Sequence, residues 1–75
     1  MSSELKVDNY YLLNVSVGIR ILTYSCKILE ITKDGFITIK DKYGEKWSYN
    51  KNNIISYLPL NKRDVKAIFG VDIDD

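Results

Sequence analysis

The chain has 75 residues, a length that suits one small domain, 1–75, with one hydrophobic core. A hydrophobic content of 45% excludes a wholly disordered chain, and the longest apolar runs are too short to cross a bilayer, so we expect a soluble protein with no membrane partner. The net charge of +1 argues neither for nucleic acid as a partner nor against it.

The amino-terminal segment has no clear period. Apolar residues in 1–14 fit neither a helical nor a strand spacing, so we expect a loose arm that ends in a short strand or a helical turn. The first residues are polar and acidic and lack the pattern of a signal peptide. The single cysteine, Cys26, cannot form an internal disulfide, which favours a cytoplasmic location.

Residues 17–60 carry the signals of several short strands. Period-two alternation predicts strands over 17–24 and 27–32, with Arg20 on the wetter face of the first and Leu29 facing inward in the second. Asp34-Gly35 predicts a tight type I′ hairpin into the next strand, because both residues tolerate positive φ angles.

The second half of this segment continues the pattern. Residues 41–44 predict a longer turn that ends in a glycine bulge, and the strand after it alternates Trp47 and Tyr49 toward the core with polar residues outward. A polar turn at 51–53 precedes a last strand, which Pro59 ends because proline cannot donate to a ladder.

A helix is predicted over 62–69. Asn61 is a good N-cap and Gly70 a good residue just past the end, while Val65, Ile68 and Phe69 recur at helical spacing. Two turns are unstable alone, so this apolar stripe is expected to dock on the barrel mouth or on a neighbouring subunit. Residues 71–75 form a small acidic tail, most simply a disordered terminus.

The residue types exclude most catalytic chemistry. The sequence has no histidine, which removes the usual general base and the commonest metal ligand, and one thiol makes no cysteine cluster. No catalytic or phosphate-binding glycine motif occurs. We therefore expect no enzyme activity, no metal and no cofactor, and we expect Cys26 to be a small buried hydrophobe.

Charge and aromatic residues suggest a binding face instead. Between positions 26 and 63 there are eight basic and four acidic residues, an excess of four positive charges. Lysines interleaved with aromatic rings can hold phosphates while the rings stack on bases. The candidate nucleic-acid-binding residues are Lys33, Phe36, Lys40, Lys42, Tyr43 and Lys46. The alternative is that the rings fill the core and the lysines keep strand edges soluble.

The order of elements resembles the Sm-like fold, which includes the bacterial Sm-like RNA chaperone. Asp34-x-Phe36 resembles the first motif of that family. The run from Tyr49 through Ile54-Ile55-Ser56 to Pro59 resembles the end of the family's sequence pattern, and the resemblance covers about half the chain. The glycines expected before the first motif fall at Thr23 and Ile28, the uridine-contacting histidine is absent, and the helix follows the strands. The resemblance implies topology and no binding residues, and SH3-like barrels fit the strand pattern equally well.

Together these patterns predict a mostly β chain, a five-stranded SH3-like or Sm-like barrel with a short C-terminal helix. We expect a non-enzymatic regulatory or adaptor module that binds single-stranded nucleic acid. The alternative is a protein-protein interaction module, such as a small inhibitor or a subunit of a larger complex, encoded by a phage or mobile element. A core this small also favours a homo-oligomer, first a dimer and second an Sm-type ring.

Overall fold

The computed structural model describes residues 4–73, which form one antiparallel sheet and a short helix. The elements are β1 (Tyr10–Val17), β2 (Arg20–Ile31), β3 (Phe36–Asp41), β4 (Lys46–Asn50), β5 (Ile54–Pro59) and α1 (Lys62–Phe69). The strand order across the sheet is β4-β3-β2-β1-β5, so the first four strands form a meander and β5 returns to pair with β1. The predicted class, mostly β with five strands and a C-terminal helix, is confirmed.

The sheet is rolled but is not closed into the predicted barrel. β4 and β5 lie at opposite edges of the sheet, yet only the 3-10 turn Lys51–Asn53 joins them. Four residue steps reach at most about 14 Å, so the two edges approach each other at this end. Closure requires a hydrogen-bonded ladder between the first and last strands, and none joins β4 to β5 within residues 4–73.

The amino-terminal segment ends in a strand, which is one of the two alternatives that its sequence left open, and this strand continues to Val17. Residues 10–14 belong to β1, which pairs with β2 on one side and β5 on the other. β1 is covered on both faces, because Tyr10 and Leu12 are half-buried on the face opposite the buried Tyr11 and Leu13. A strand covered on both faces is apolar at successive positions. The alternation of apolar and polar residues that usually identifies a strand is therefore absent from this segment.

The residues before β1 are also tied to the sheet. The Asp8 amide donates a hydrogen bond to the Ile28 carbonyl at 2.8 Å, and the Ile28 amide donates to the Asn9 carbonyl at 3.0 Å. The Lys6 amide donates to the Tyr11 hydroxyl at 3.0 Å. These bonds replace the expected arm with an ordered segment, and residues 1–3 of that prediction lie outside the described residues.

The hydrophobic core lies on one face of the rolled sheet, here called the inner face. Its buried members come from the first three strands and are Tyr11, Leu13, Val15, Cys26, Ile28, Ile37 and Ile39. Burial of one large aliphatic side chain contributes about 1.5–3 kcal/mol, so this face supplies the main stabilisation. The prediction that Cys26 is a buried hydrophobe is confirmed.

The prediction of which side chains in β2 point toward the core is wrong. Residues 17–24 and 27–32 are not two strands: a turn at Gly18 and Ile19 separates β1 from the twelve-residue β2. This turn pairs Val17 with Arg20, so that Ile21 points outward and is 65% exposed. A register shift between Ile28 and Glu30 marks an irregularity at Leu29, which leaves Ile28 buried and Leu29 on the other side of the strand.

The β2–β3 hairpin forms where predicted, but not with a type I′ turn. The Gly35 amide donates to the Thr32 carbonyl at 3.1 Å, and the Phe36 amide donates to the Thr32 hydroxyl at 3.0 Å. Gly35 has a φ of 91°, whereas Asp34 has no positive φ, and a type I′ turn requires positive φ at both central residues. The Thr32 side chain therefore supports a four-residue loop instead.

The helix is confirmed with both predicted caps. The Asn61 side chain accepts a hydrogen bond from the Asp64 amide at 2.8 Å, and Gly70 adopts a φ of 71° at the C-terminal end. The helix docks on this chain's own sheet rather than on a barrel mouth: the Phe69 ring lies 4.9 Å from the Tyr10 ring, on the outer face, and Val65 is fully buried. Within residues 4–73 every helix is too short or too polar to cross a membrane.

Candidate functional site

The six residues predicted to bind nucleic acid fall into two groups. Lys33 and Phe36 lie in the β2–β3 loop and at the start of β3, whereas the other four lie around the β3–β4 turn. Phe36 and Lys40 are four residues apart on one strand, which separates them by about 13 Å. The structure brings together Lys40, Lys42, Tyr43 and Lys46.

Strand pairing adds a lysine that sequence reasoning missed. Lys27 on β2 is the register partner of Lys40 on β3, and Lys40 is the partner of Lys46 on β4. Directly paired residues share a face, and adjacent strands lie about 4.8 Å apart, so the three side chains form a row about 10 Å wide on the outer face. We call Lys27, Lys40 and Lys46 the lysine row.

The lysine row is not neutralised by carboxylates of the described chain. The ion pair found within residues 4–73 joins Lys66 to Asp72 at 2.9 Å, on the helix and the segment after it. Like charges directly opposite each other destabilise a sheet pair. The row therefore combines an electrostatic cost to the fold with an open attraction for anions.

Asp41 builds the turn that carries Lys42 and Tyr43. One of its carboxylate oxygens accepts hydrogen bonds from the amides of Tyr43 and Glu45, both at 2.9 Å, and the other accepts one from the Trp47 indole at 2.9 Å. Burial raises the pKa of Asp41, but the bonds from Trp47, Glu45 and Tyr43 outweigh it and hold this pKa below its ordinary value. The carboxylate is thus ionised at neutral pH and fully engaged in shaping the turn.

The aromatic candidates differ in accessibility. Tyr43 is 76% exposed at the turn, and the Lys42 ammonium lies 5.3 Å from the centre of its ring. Phe36 is also exposed, but lies opposite Asn50 at the far end of β3. Tyr43 is therefore the ring in the turn that joins Lys40 on β3 to Lys46 on β4.

The prediction that Trp47 and Tyr49 face the core is correct in direction. They pair with Ile39 and Ile37 on the inner face, and Tyr49 packs against the core. Trp47 stays 41% exposed, because β4 is an edge strand and none of the described strands lies beyond it to cover the ring. Its indole is held by Asp41 and lies beside Tyr24, at a ring separation of 6.4 Å.

A groove opens between the outer face of the sheet and the C-terminal end of α1, with a volume of about 380 Å³. Three lysines line it, Lys27, Lys40 and Lys42. The apolar part of the lining comes from Tyr10, Leu29, Ile68, Phe69 and Val71. The Lys27 ammonium lies 5.7 Å from the centre of the Tyr10 ring, at the border between the two parts. We call this feature the lysine groove.

Two ionisable groups of the inner face, Cys26 and Tyr24, are held protonated. Burial and the proximity of Asp41 raise the pKa of the Cys26 thiol to about 12. Burial and the hydrogen bond between the Tyr24 and Tyr49 hydroxyls raise the pKa of Tyr24 to about 12. Within the described chain, no group of three or more carboxylate, thiol or imidazole side chains meets in a way that could hold a metal ion.

Comparison with protein-family models, with curated proteins and with solved structures finds no match to this chain. The coarse part of the resemblance, a small five-stranded antiparallel sheet with one helix, is what the structure shows.

Proposed function

We propose that this chain is a non-enzymatic regulatory or adaptor module that holds single-stranded nucleic acid against the lysine row and the β3–β4 turn. The observation that supports it best is the register that aligns Lys27, Lys40 and Lys46 on one face. These residues have no carboxylate partner among residues 4–73. Three lysines on neighbouring strands, whose backbones lie about 5 Å apart, suit the phosphates of a flexible strand.

Tyr43 favours a single strand over a duplex. An exposed ring beside a basic row offers a stacking surface for a base, and bases are available for stacking when they are not paired. The proposal therefore rests on Lys27, Lys40, Lys42, Tyr43 and Lys46. Lys33 and Phe36, at the other end of β3, become peripheral to it.

Fluorescence anisotropy tests this proposal. Labelled single-stranded RNA, single-stranded DNA and duplex DNA of equal length are titrated with the protein at two salt concentrations. We expect both single strands to bind more tightly than the duplex, and affinity to fall as salt rises, because phosphate contacts release counterions. If no salt-dependent binding is seen at protein concentrations up to about 1 mM, the dissociation constant is weaker than about millimolar and this function is excluded.

A second candidate function is association with protein, and the open sheet supports it. β4 and β5 each have one edge without a strand partner among the described residues, and Leu58 on β5 is 63% exposed. An unpaired edge presents backbone donors and acceptors to another strand. The partner that we propose is a second copy, in an isologous dimer through β5.

The helix stripe, which could have docked on a neighbouring subunit, does not require one. Tyr11 is buried in the core, and Val65 and Phe69 dock on the chain's own sheet, so these side chains need no cover from a partner. The unpaired strand edges are therefore the structural feature that supports a dimer. Light scattering at about 100 μM, the range in which weak dimers form, should give twice the monomer mass, with an unfolding midpoint that rises with protein concentration.

We also propose a distant likeness in topology to Sm-like or SH3-like barrels. It is supported by the return of β5 to pair with β1 and by the Asp34-Gly35 hairpin. The open sheet and the helix after the strands depart from it. No binding residue is transferred on this basis.

A further inference from the structure

The lysine groove and the lysine row are continuous. Lys27 and Lys40 belong to both, so a strand that lies along the row passes the mouth of the groove. The groove holds about 380 Å³, within the range of about 300–1,000 Å³ that is usual for small-ligand pockets. Its position makes it a side pocket of the proposed binding face.

The groove has two chemically distinct walls. Leu29, Phe69 and Val71 contribute to an apolar wall that gains by covering a flat ring, while three lysines offer positive charge to an anion. Asp41 also lines the groove, but both its oxygens accept hydrogen bonds from its own turn, which reduces its repulsion of an anion. The complementary ligand is a planar ring joined to a phosphate.

We infer that the lysine groove is a subsite for one nucleotide, whose base lies against the apolar wall and whose phosphate lies against the lysines. This inference rests on the proposed function, and it names the part of the site that contacts a base. A nucleotide of a bound strand and a free mononucleotide share this chemistry. Continuity with the row favours the strand, because its neighbouring phosphates then reach Lys46.

The test compares two labelled oligonucleotides of equal length, an ordinary single strand and one with abasic sugars throughout. Both carry the same phosphates, so their salt dependence should match, while the ordinary strand should bind roughly tenfold tighter or more, since each stacked base contributes about 1–3 kcal/mol. The groove variant is Ile68→Gln with Val71→Gln, which makes the apolar wall polar at two partly exposed positions. The matched control is Ile21→Gln, on the outer face and away from the groove.

The groove variant should lower the affinity for the ordinary strand roughly tenfold, the scale of one lost base contact, and leave the abasic strand unchanged. The control variant should change neither. Urea unfolding of each variant shows whether it is folded. If the double variant is not folded, Val71→Gln alone takes its place as the groove variant. Because Tyr43 can also stack on a base, the groove variant rather than the abasic strand decides where the base lies.

The outcomes separate this inference from the proposed function. If both oligonucleotides bind with the expected salt dependence and the groove variant behaves like its control, the subsite is wrong and the proposed function stands. If neither oligonucleotide binds, the proposed function fails and the subsite with it. Titration with adenosine monophosphate distinguishes a nucleotide of a bound strand from a free mononucleotide. If the mononucleotide binds more tightly than the strand, the inference that the groove holds a nucleotide of a bound strand is overturned.

Discussion

Removal of Lys40 and Lys42 together should lower the salt dependence of binding by a calculable amount. Four lysines surround the proposed path of the strand, namely Lys27, Lys40, Lys42 and Lys46. If each neutralises one phosphate of a single strand, the slope of log affinity against log salt is about −2.8, and the double variant has a slope of about −1.4. A rise from about 50 to about 200 mM salt then weakens the original protein about 50-fold and the variant about sevenfold.

The assay is the anisotropy of a labelled single-stranded RNA at four or five salt concentrations. The control variant is Lys33→Ala with Lys62→Ala, which removes the same charge from the β2–β3 loop and the start of α1. It should keep a slope near that of the original protein, because neither lysine lies in the row or lines the groove. Equal loss of slope in both variants would mean that net charge alone governs binding, and an unchanged slope in the Lys40/Lys42 variant would refute the proposed face.

Three further predictions concern stability and reactivity. Because the pKa of Asp41 is lowered in the fold, its contribution to stability is complete above the unfolded value near 3.8 and is lost as pH falls through the lower folded value. Asp41→Asn should therefore weaken the pH dependence of the free energy of unfolding, measured in urea, below pH 4. An unchanged loss of stability between pH 4 and lower pH would contradict this. The Cys26 thiol, with a pKa of about 12, should react with a disulfide reagent at pH 8 at least about a hundredfold more slowly in the folded protein than in urea; equal rates would show that the thiol is accessible. Asn61→Ala should lower the free energy of unfolding by about 1 kcal/mol through loss of the helix cap, with Asn61→Asp as a control that keeps it; an alanine variant as stable as the original would contradict the capping role.

Local sequence signals were sufficient for the elements that depend on a few adjacent residues. Asn61 and Gly70 mark the two ends of α1 because capping uses side chains and φ angles within one turn of the chain. Gly44, with a φ of 83°, marks the β3–β4 turn for the same reason. Lys40, Lys42, Tyr43 and Lys46 come together because they flank this one turn, so that part of the candidate site was predictable.

Features that depend on the pairing of strands far apart in the chain could not be predicted from the sequence. The strand β1 could not be told from a helical turn because both its faces are covered, and the facing of β2 was reversed by a two-residue turn and an irregularity at Leu29. Lys27 joins the lysine row through its pairing with Lys40, thirteen positions away along the chain. A register shift of one residue would have turned either side chain to the inner face.

The sequence by itself determined that this chain is mostly β, that hairpin turns follow β2 and β3, where its helix begins and ends, and that Cys26 is buried. Only the tertiary structure decided that the sheet stays open, that Lys33 and Phe36 lie apart from the other candidates, and that the helix and the sheet enclose a lysine-lined groove. The physical reason is the range of the interactions. Turns and caps are fixed by neighbouring residues, whereas register, edge pairing and helix docking are chosen by contacts that form only when distant segments pack together.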